Sequence, residues 1–137
     1  MKVGLKAKVM NQGKSIKLEY LHHISVNCWD VELSVRFYCD VLGLAEIERP
    51  PFSFPGAWLQ GFGLQIHLIQ AQQAAPEQTA EINSRVFHLA FLVTDLDAAE
   101  EKLRDRKIPY VRRINAAQAE QIFFQDPAGL NIEVTSG

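Results

Sequence analysis

The chain has 137 residues, 47% hydrophobic and 22% charged, with a formal net charge of −2. That size fits one compact domain, and the charge balance gives no electrostatic case for a nucleic-acid or anionic-membrane partner. No apolar run approaches the ~20 residues of a membrane span, no secretory-type apolar core opens the chain, and two cysteines, Cys28 and Cys39, are too few for a disulfide framework, which leaves a cytoplasmic protein with reduced thiols as the expectation.

Residues 1–19 carry five lysines against one acid, Glu19, and read as a solvated basic leader or an added edge strand. A single domain is expected over residues 20–137, with a first module at 20–70, a linker at 71–84 and a second module at 85–135. In the first module, Leu21–Cys28 alternates as a strand. Asp30 caps a helix running to about Leu42, with Val31, Val35, Tyr38 and Leu42 at helical spacing and Gly43 placed to end it. Ala45–Arg49, Gly56–Gln60 and Leu64–Ile69 read as strands, and Trp58, Phe52 and Phe54 as packing side chains, Trp58 also as a pocket residue. The linker is rich in Ala and Gln. The second module repeats the order: Val86–Val93, a helix from about Leu96 to Arg106 capped by Asp95, then Tyr110–Ile114, Gln121–Gln125 and Leu130–Thr135. Asp126-Pro-Ala-Gly129 is a turn signal between the last two. A turn with a left-handed Gly129 sets Glu133 opposite Phe123 and gives Gln121, Phe123 and Gln125 the same face. A turn two residues long would flip that set. The first is preferred because it places Ile122 and Phe124 with Ile132.

Both modules are therefore β-α-β-β-β, and the repeat is visible residue by residue. His23-Ile-Ser-Val-Asn-Cys-Trp-Asp30 matches His88-Leu-Ala-Phe-Leu-Val-Thr-Asp95, and Gly63-Leu-Gln-Ile-His67-Leu matches Gly129-Leu-Asn-Ile-Glu133-Val. His23, His67, His88 and Glu133 fall between apolar neighbours at matched points. If those neighbours pack on the helices, the four polar side chains share the opposite face. Buried there they need partners, and three imidazoles with one carboxylate suit a divalent metal: Zn, Ni, Fe, Mn or Co. Alternation puts His22 on the wrong face to join them. Cys28 and Cys39 lack a neighbouring base in sequence and read as inert.

The motifs Leu21-His-His23-Ile-Ser-Val with Asp30, Ser34, Phe37-Tyr38 and Val41-Leu-Gly-Leu44, His88-Leu-Ala-Phe with Asp95-Leu-Asp97, and Phe124-x-Asp126-Pro-x-Gly129-x-x-Ile132-Glu133 resemble the vicinal oxygen chelate superfamily. That superfamily includes glyoxalase I, extradiol dioxygenases, fosfomycin-resistance thiol transferases and bleomycin-binding proteins. The resemblance implies an α+β fold in which two tandem βαβββ modules form an open, cup-shaped mixed β-barrel flanked by helices. It maps the metal ligands onto His23, His67, His88 and Glu133, and implies a small-molecule substrate whose two neighbouring oxygens the metal holds. It also implies a homodimer, since open sheets leave edges to cover.

The expected activity is a metal-dependent lyase or isomerase similar to glyoxalase I, with Glu133 moving the substrate proton. Glyoxalase I usually has a glutamate where this chain has His67, so Glu133 would act alone. The alternatives are a ring-cleaving dioxygenase of the extradiol type, in which His67 would occupy a position the chemistry needs open, and a non-catalytic protein that sequesters a small molecule such as an antibiotic. A thiol transferase would need a cationic pocket, for which Arg49, Arg112 and Arg113 are the candidates. Phe123, Gln125 and Trp58 are the expected substrate contacts.

Overall fold

The computed structural model describes residues 13–75 and 81–137. The first module runs β1 (Ile24–Cys28), α1 (Val31–Arg36, continued by a π-helical turn at Phe37–Val41), β2 (Ala45–Ile47), β3 (Gly56–Gly61) and β4 (Leu64–Gln70). The second runs β5 (His88–Leu92), α2 (Leu96–Asp105), β6 (Tyr110–Ile114), β7 (Glu120–Gln125) and β8 (Asn131–Thr135). The strands form two four-stranded mixed sheets, ordered β1-β4-β3-β2 and β5-β8-β7-β6, with one parallel pair in each, β1 on β4 and β5 on β8. This is the expected α+β pair of βαβββ modules. The two sheets are not closed into one another.

The helix starts follow from the sequence. Asp30 Oδ1 accepts from Leu33 N and Asp95 Oδ1 from Ala98 N, each at 3.0 Å, filling donors a helix leaves orphaned. The ends differ. Gly43 takes φ 79° at the close of the first helix, a conformation without penalty for glycine, whereas the matching residue after α2 is Lys107, at φ 56°. The first helix is not α-helical throughout, as its spacing suggests. Its π-helical turn lets the adjacent residues Phe37 and Tyr38 both go inward.

Alternation places Val26, Cys28, Leu59, Ile66 and Leu68 of the first sheet, and Leu89, Ile122, Phe124, Ile132 and Val134 of the second, on the helix side. All belong to one hydrophobic cluster with Phe37, Tyr38, Leu96 and Leu103. The modules are locked by a buried hydrogen bond in which Tyr38 Oη donates to Asp126 Oδ2 at 2.6 Å. Residues 13–19, part of the stretch read as a solvated leader or an added edge strand, are exposed and form no strand; residues 1–12 lie outside the described residues, as do 76–80 of the linker. Among the described residues no helix is long and apolar enough to cross a membrane.

Candidate metal centre

Strand register fixes two half-sites of one design. On the face away from the helices, His67 of β4 lies opposite Trp58 of β3, and Glu133 of β8 lies opposite Phe123 of β7. The turn before β8 takes the longer form: Asp126 N donates to Leu130 O, Gly129 has φ 91°, and Gln121, Phe123 and Gln125 share the face of Glu133.

In the first half-site Trp58, His67 and His23 form one stack, with ring centroids 4.1 Å and then 4.0 Å apart. His67 is buried, and its Nε2 meets Gln65 Oε1 at 2.6 Å. Burial, then the nearby His23, His22 and Arg49, holds its pKa below the usual imidazole value, which favours the neutral, ligating form. Strand β1 begins at Ile24, so strict alternation does not reach His22. Its Nδ1 lies 2.8 Å from His23 Nδ1, beside the candidate ligand and not across the sheet from it.

In the second half-site His88 Nε2 lies 3.1 Å from Glu133 Oε1, and Gln121 Nε2 donates to Glu133 Oε2 at 3.1 Å. His88 Nδ1 donates to the Val86 carbonyl at 2.8 Å, and its ring meets the edge of Phe123 at a centroid distance of 5.5 Å. Gln125 Nε2 donates to Asn131 Oδ1 at 3.0 Å. The four expected ligands are thus brought together in two pairs, and among the described residues no group of three or more His, Cys, Asp or Glu side chains converges to hold a metal. Phe52 and Phe54, read as packing residues, are 45% and 39% exposed; they stack on each other at 5.4 Å, and Phe52 reaches Trp58 at 6.0 Å. Burial raises the pKa of both thiols, Cys28 and Cys39, the reverse of an activated nucleophile.

Comparison with known proteins agrees with the paired βαβββ fold. The chain is 40% identical over 128 residues to Glyoxylase I 4 of Arabidopsis thaliana, covering 89% of this chain and 73% of that protein. It is 30% identical to the uncharacterized protein YaeR of Escherichia coli K12, covering 85% and 95%. Its fold matches the crystal structure of the fosfomycin resistance protein FosX from Listeria monocytogenes with a TM-score of 0.73 at 18% identity, covering 88% and 94%. A variant of that protein, also with a TM-score of 0.73, is described in complex with Mn(II) and a dihydroxypropylphosphonic acid. The Glyoxalase/Bleomycin resistance protein/Dioxygenase superfamily model matches residues 20–134, both modules nearly end to end, and the chain belongs to that superfamily.

Proposed function

We propose that the protein is a divalent-metal-dependent lyase or isomerase of the glyoxalase type, acting on a small substrate with two neighbouring oxygens, and that each site is completed between two chains of a homodimer. The observation that carries the metal is the His88–Glu133 pair. The Val86 carbonyl can only accept, so His88 Nδ1 bears a proton, and Nε2 is left facing Glu133 Oε1. At 3.1 Å that contact is satisfied either by a second ring proton or by a cation held between Nε2 and Oε1. The other half-site offers two imidazoles, and the combined set of His23, His67, His88 and Glu133 suits Zn, Ni, Fe, Mn or Co. The relationship to Glyoxylase I 4, and the Mn(II) described with FosX, support a divalent ion.

The case for two chains rests on the shared core. The helix sides of both sheets contribute to one cluster, and among the described residues the two ligand pairs do not converge into one group. Ser25, Asn27, Ala90 and Leu92 lie exposed on the ligand-bearing faces, Leu92 at 74%. A second copy can set His23 and His67 of one chain against His88 and Glu133 of the other, covering the exposed Leu92 twice by symmetry.

A divalent cation held there supplies Lewis-acid polarisation of the substrate's oxygens. Glu133, the one carboxylate in the set, would take the substrate proton and return it once the arriving substrate frees it from its role as a ligand, while the Gln121 amide orients its Oε2. His67, its lone pair engaged as a ligand, leaves Glu133 to act alone. Trp58 and Phe123 wall the cup, and Gln125 offers its amide at the edge. The test uses the hemithioacetal of methylglyoxal and glutathione at equal metal occupancy. Glu133→Gln is expected to lower turnover ~100- to 10,000-fold, and His67→Glu to raise activity on this substrate. Unchanged turnover in Glu133→Gln would remove Glu133 from the chemistry, and no gain in His67→Glu would exclude this hemithioacetal as the substrate the pocket is built for.

A further inference from the structure

The three arginines at the ends of the second strands part company in the fold. Arg112 faces α2 and is spent on acids, with Nη1 at 2.7 Å from Asp97 Oδ1 and 3.2 Å from Glu100 Oε1, and Nη2 at 3.3 Å from Glu120. Arg49 and Arg113 lie on the other face, at the same position of the repeat. Ile47 is opposite Trp58 and Val111 is opposite Phe123, and each arginine stands two residues further on. Each is laid on aromatic rings beside its half-site. The Arg49 guanidinium is 5.0 Å from the Phe52 ring and 4.9 Å from the Phe54 ring, and that of Arg113 is 5.0 Å from Phe123. Room for Arg49 is made by Gly56, where a Cβ would run into the guanidinium and the Leu68 carbonyl. The matching residue in the second module is Gln121, which reaches Glu133 instead.

Arg49 Nη2 donates to the Phe54 carbonyl at 2.8 Å, and among the described residues Arg49 has no carboxylate partner. With the two half-sites joined face to face as proposed above, Arg49 and Arg113 would flank the ligands from the two sides. A divalent cation and the Arg49 guanidinium then flank Glu133, while Arg113 lines a hollow that also holds Glu81. A neutral dicarbonyl would leave that excess positive charge uncompensated in an aromatic-walled site.

Resting on the chelate reading above, we propose that Arg49 and Arg113 are substrate-recognition residues, and that the substrate carries a carboxylate on an apolar or aromatic body besides its two neighbouring oxygens. The rings of Phe52, Phe54, Trp58 and Phe123 take the body, and a guanidinium takes the carboxylate in a charge-assisted, two-pronged contact.

Calorimetric titration of the zinc-loaded full chain with catechol and with 3,4-dihydroxybenzoate tests this, because the two share ring and chelating oxygens and differ by one carboxylate. The acid is expected to bind about tenfold or more tightly than catechol. Arg49→Gln and the more exposed Arg113→Gln are expected to reduce that preference while leaving catechol affinity in place, and Arg112→Gln to keep it. The variants separate arginine pairing from the carboxylate's electronic effect on the ring. Catechol binding with no preference, or a preference intact in both Arg49→Gln and Arg113→Gln, overturns the assignment and leaves the metal reading standing. If neither probe binds the zinc-loaded protein, the chelate reading falls and this inference falls with it.

Discussion

Replacing Tyr38 by Phe removes one hydroxyl and no packing volume, so it isolates the bond that locks the two modules. Tyr38 is 0% exposed and Asp126 4%. Asp126 Oδ1 accepts from Ala128 N at 2.9 Å and Leu130 N at 2.8 Å, while the phenol serves Oδ2. Burial and the neighbouring carboxylate push the Tyr38 pKa far above the usual phenol range, so the group is a donor at any working pH. The variant leaves a buried carboxylate oxygen short of its partner, and such charge-assisted bonds are worth about 1.5–3 kcal/mol. For a chain of this length that corresponds to a fall of roughly 5–12 °C in Tm. Urea denaturation of the metal-free protein reads the free energy directly, and the unfolding transition should broaden as the modules lose their tie. A loss under about 0.5 kcal/mol would mean that the bond contributes nothing net and that the modules are held by apolar contact alone.

Lys107→Gly should stabilise the protein by about 0.5–1 kcal/mol, since Lys107 adopts the left-handed conformation that Gly43 occupies in the other module; a destabilising effect in thermal melts would contradict that. The depressed pKa of His67 predicts a pH dependence. A folded state that disfavours the imidazolium binds fewer protons than the unfolded chain, so this stability is full above about pH 6.5 and is lost as pH falls below it. Metal-free wild type should therefore weaken more than His67→Gln between pH 7.5 and pH 6 in urea titrations, and equal slopes would refute the attribution.

The parts of the fold visible in the chain were those set by local rules. Asp30 and Asp95 cap because a carboxylate at that place fills orphaned amides, and Gly129 fixes the β7–β8 register because few other residues take its φ. What could not be read depends on contacts distant in sequence. The π-helical turn at Phe37–Val41 answers to the second module's need for both Phe37 and Tyr38. His22 meets His23 because β1 starts one residue after the ligand, a boundary that alternation alone does not locate. The split of Arg112 from Arg49 and Arg113 required the pairing of β2 and β6 with their neighbours. The grouping of ligands into two pairs required knowing which sides of the sheets share the core.

The assembly of one metal site from two chains is tested most directly by complementation. His23→Ala and Glu133→Ala are each expected to abolish metal binding as homodimers, because every site then lacks a ligand. Co-expressed and isolated as a mixed dimer, the two variants place both lesions in one site and leave the other with His23 and His67 from one chain and His88 and Glu133 from its partner. Elemental analysis should then find one metal per mixed dimer and none in either parent. No metal in the mixed dimer, with wild type fully loaded, would mean that each chain closes its own site; full retention by both parents would dismiss the four residues as the ligand set.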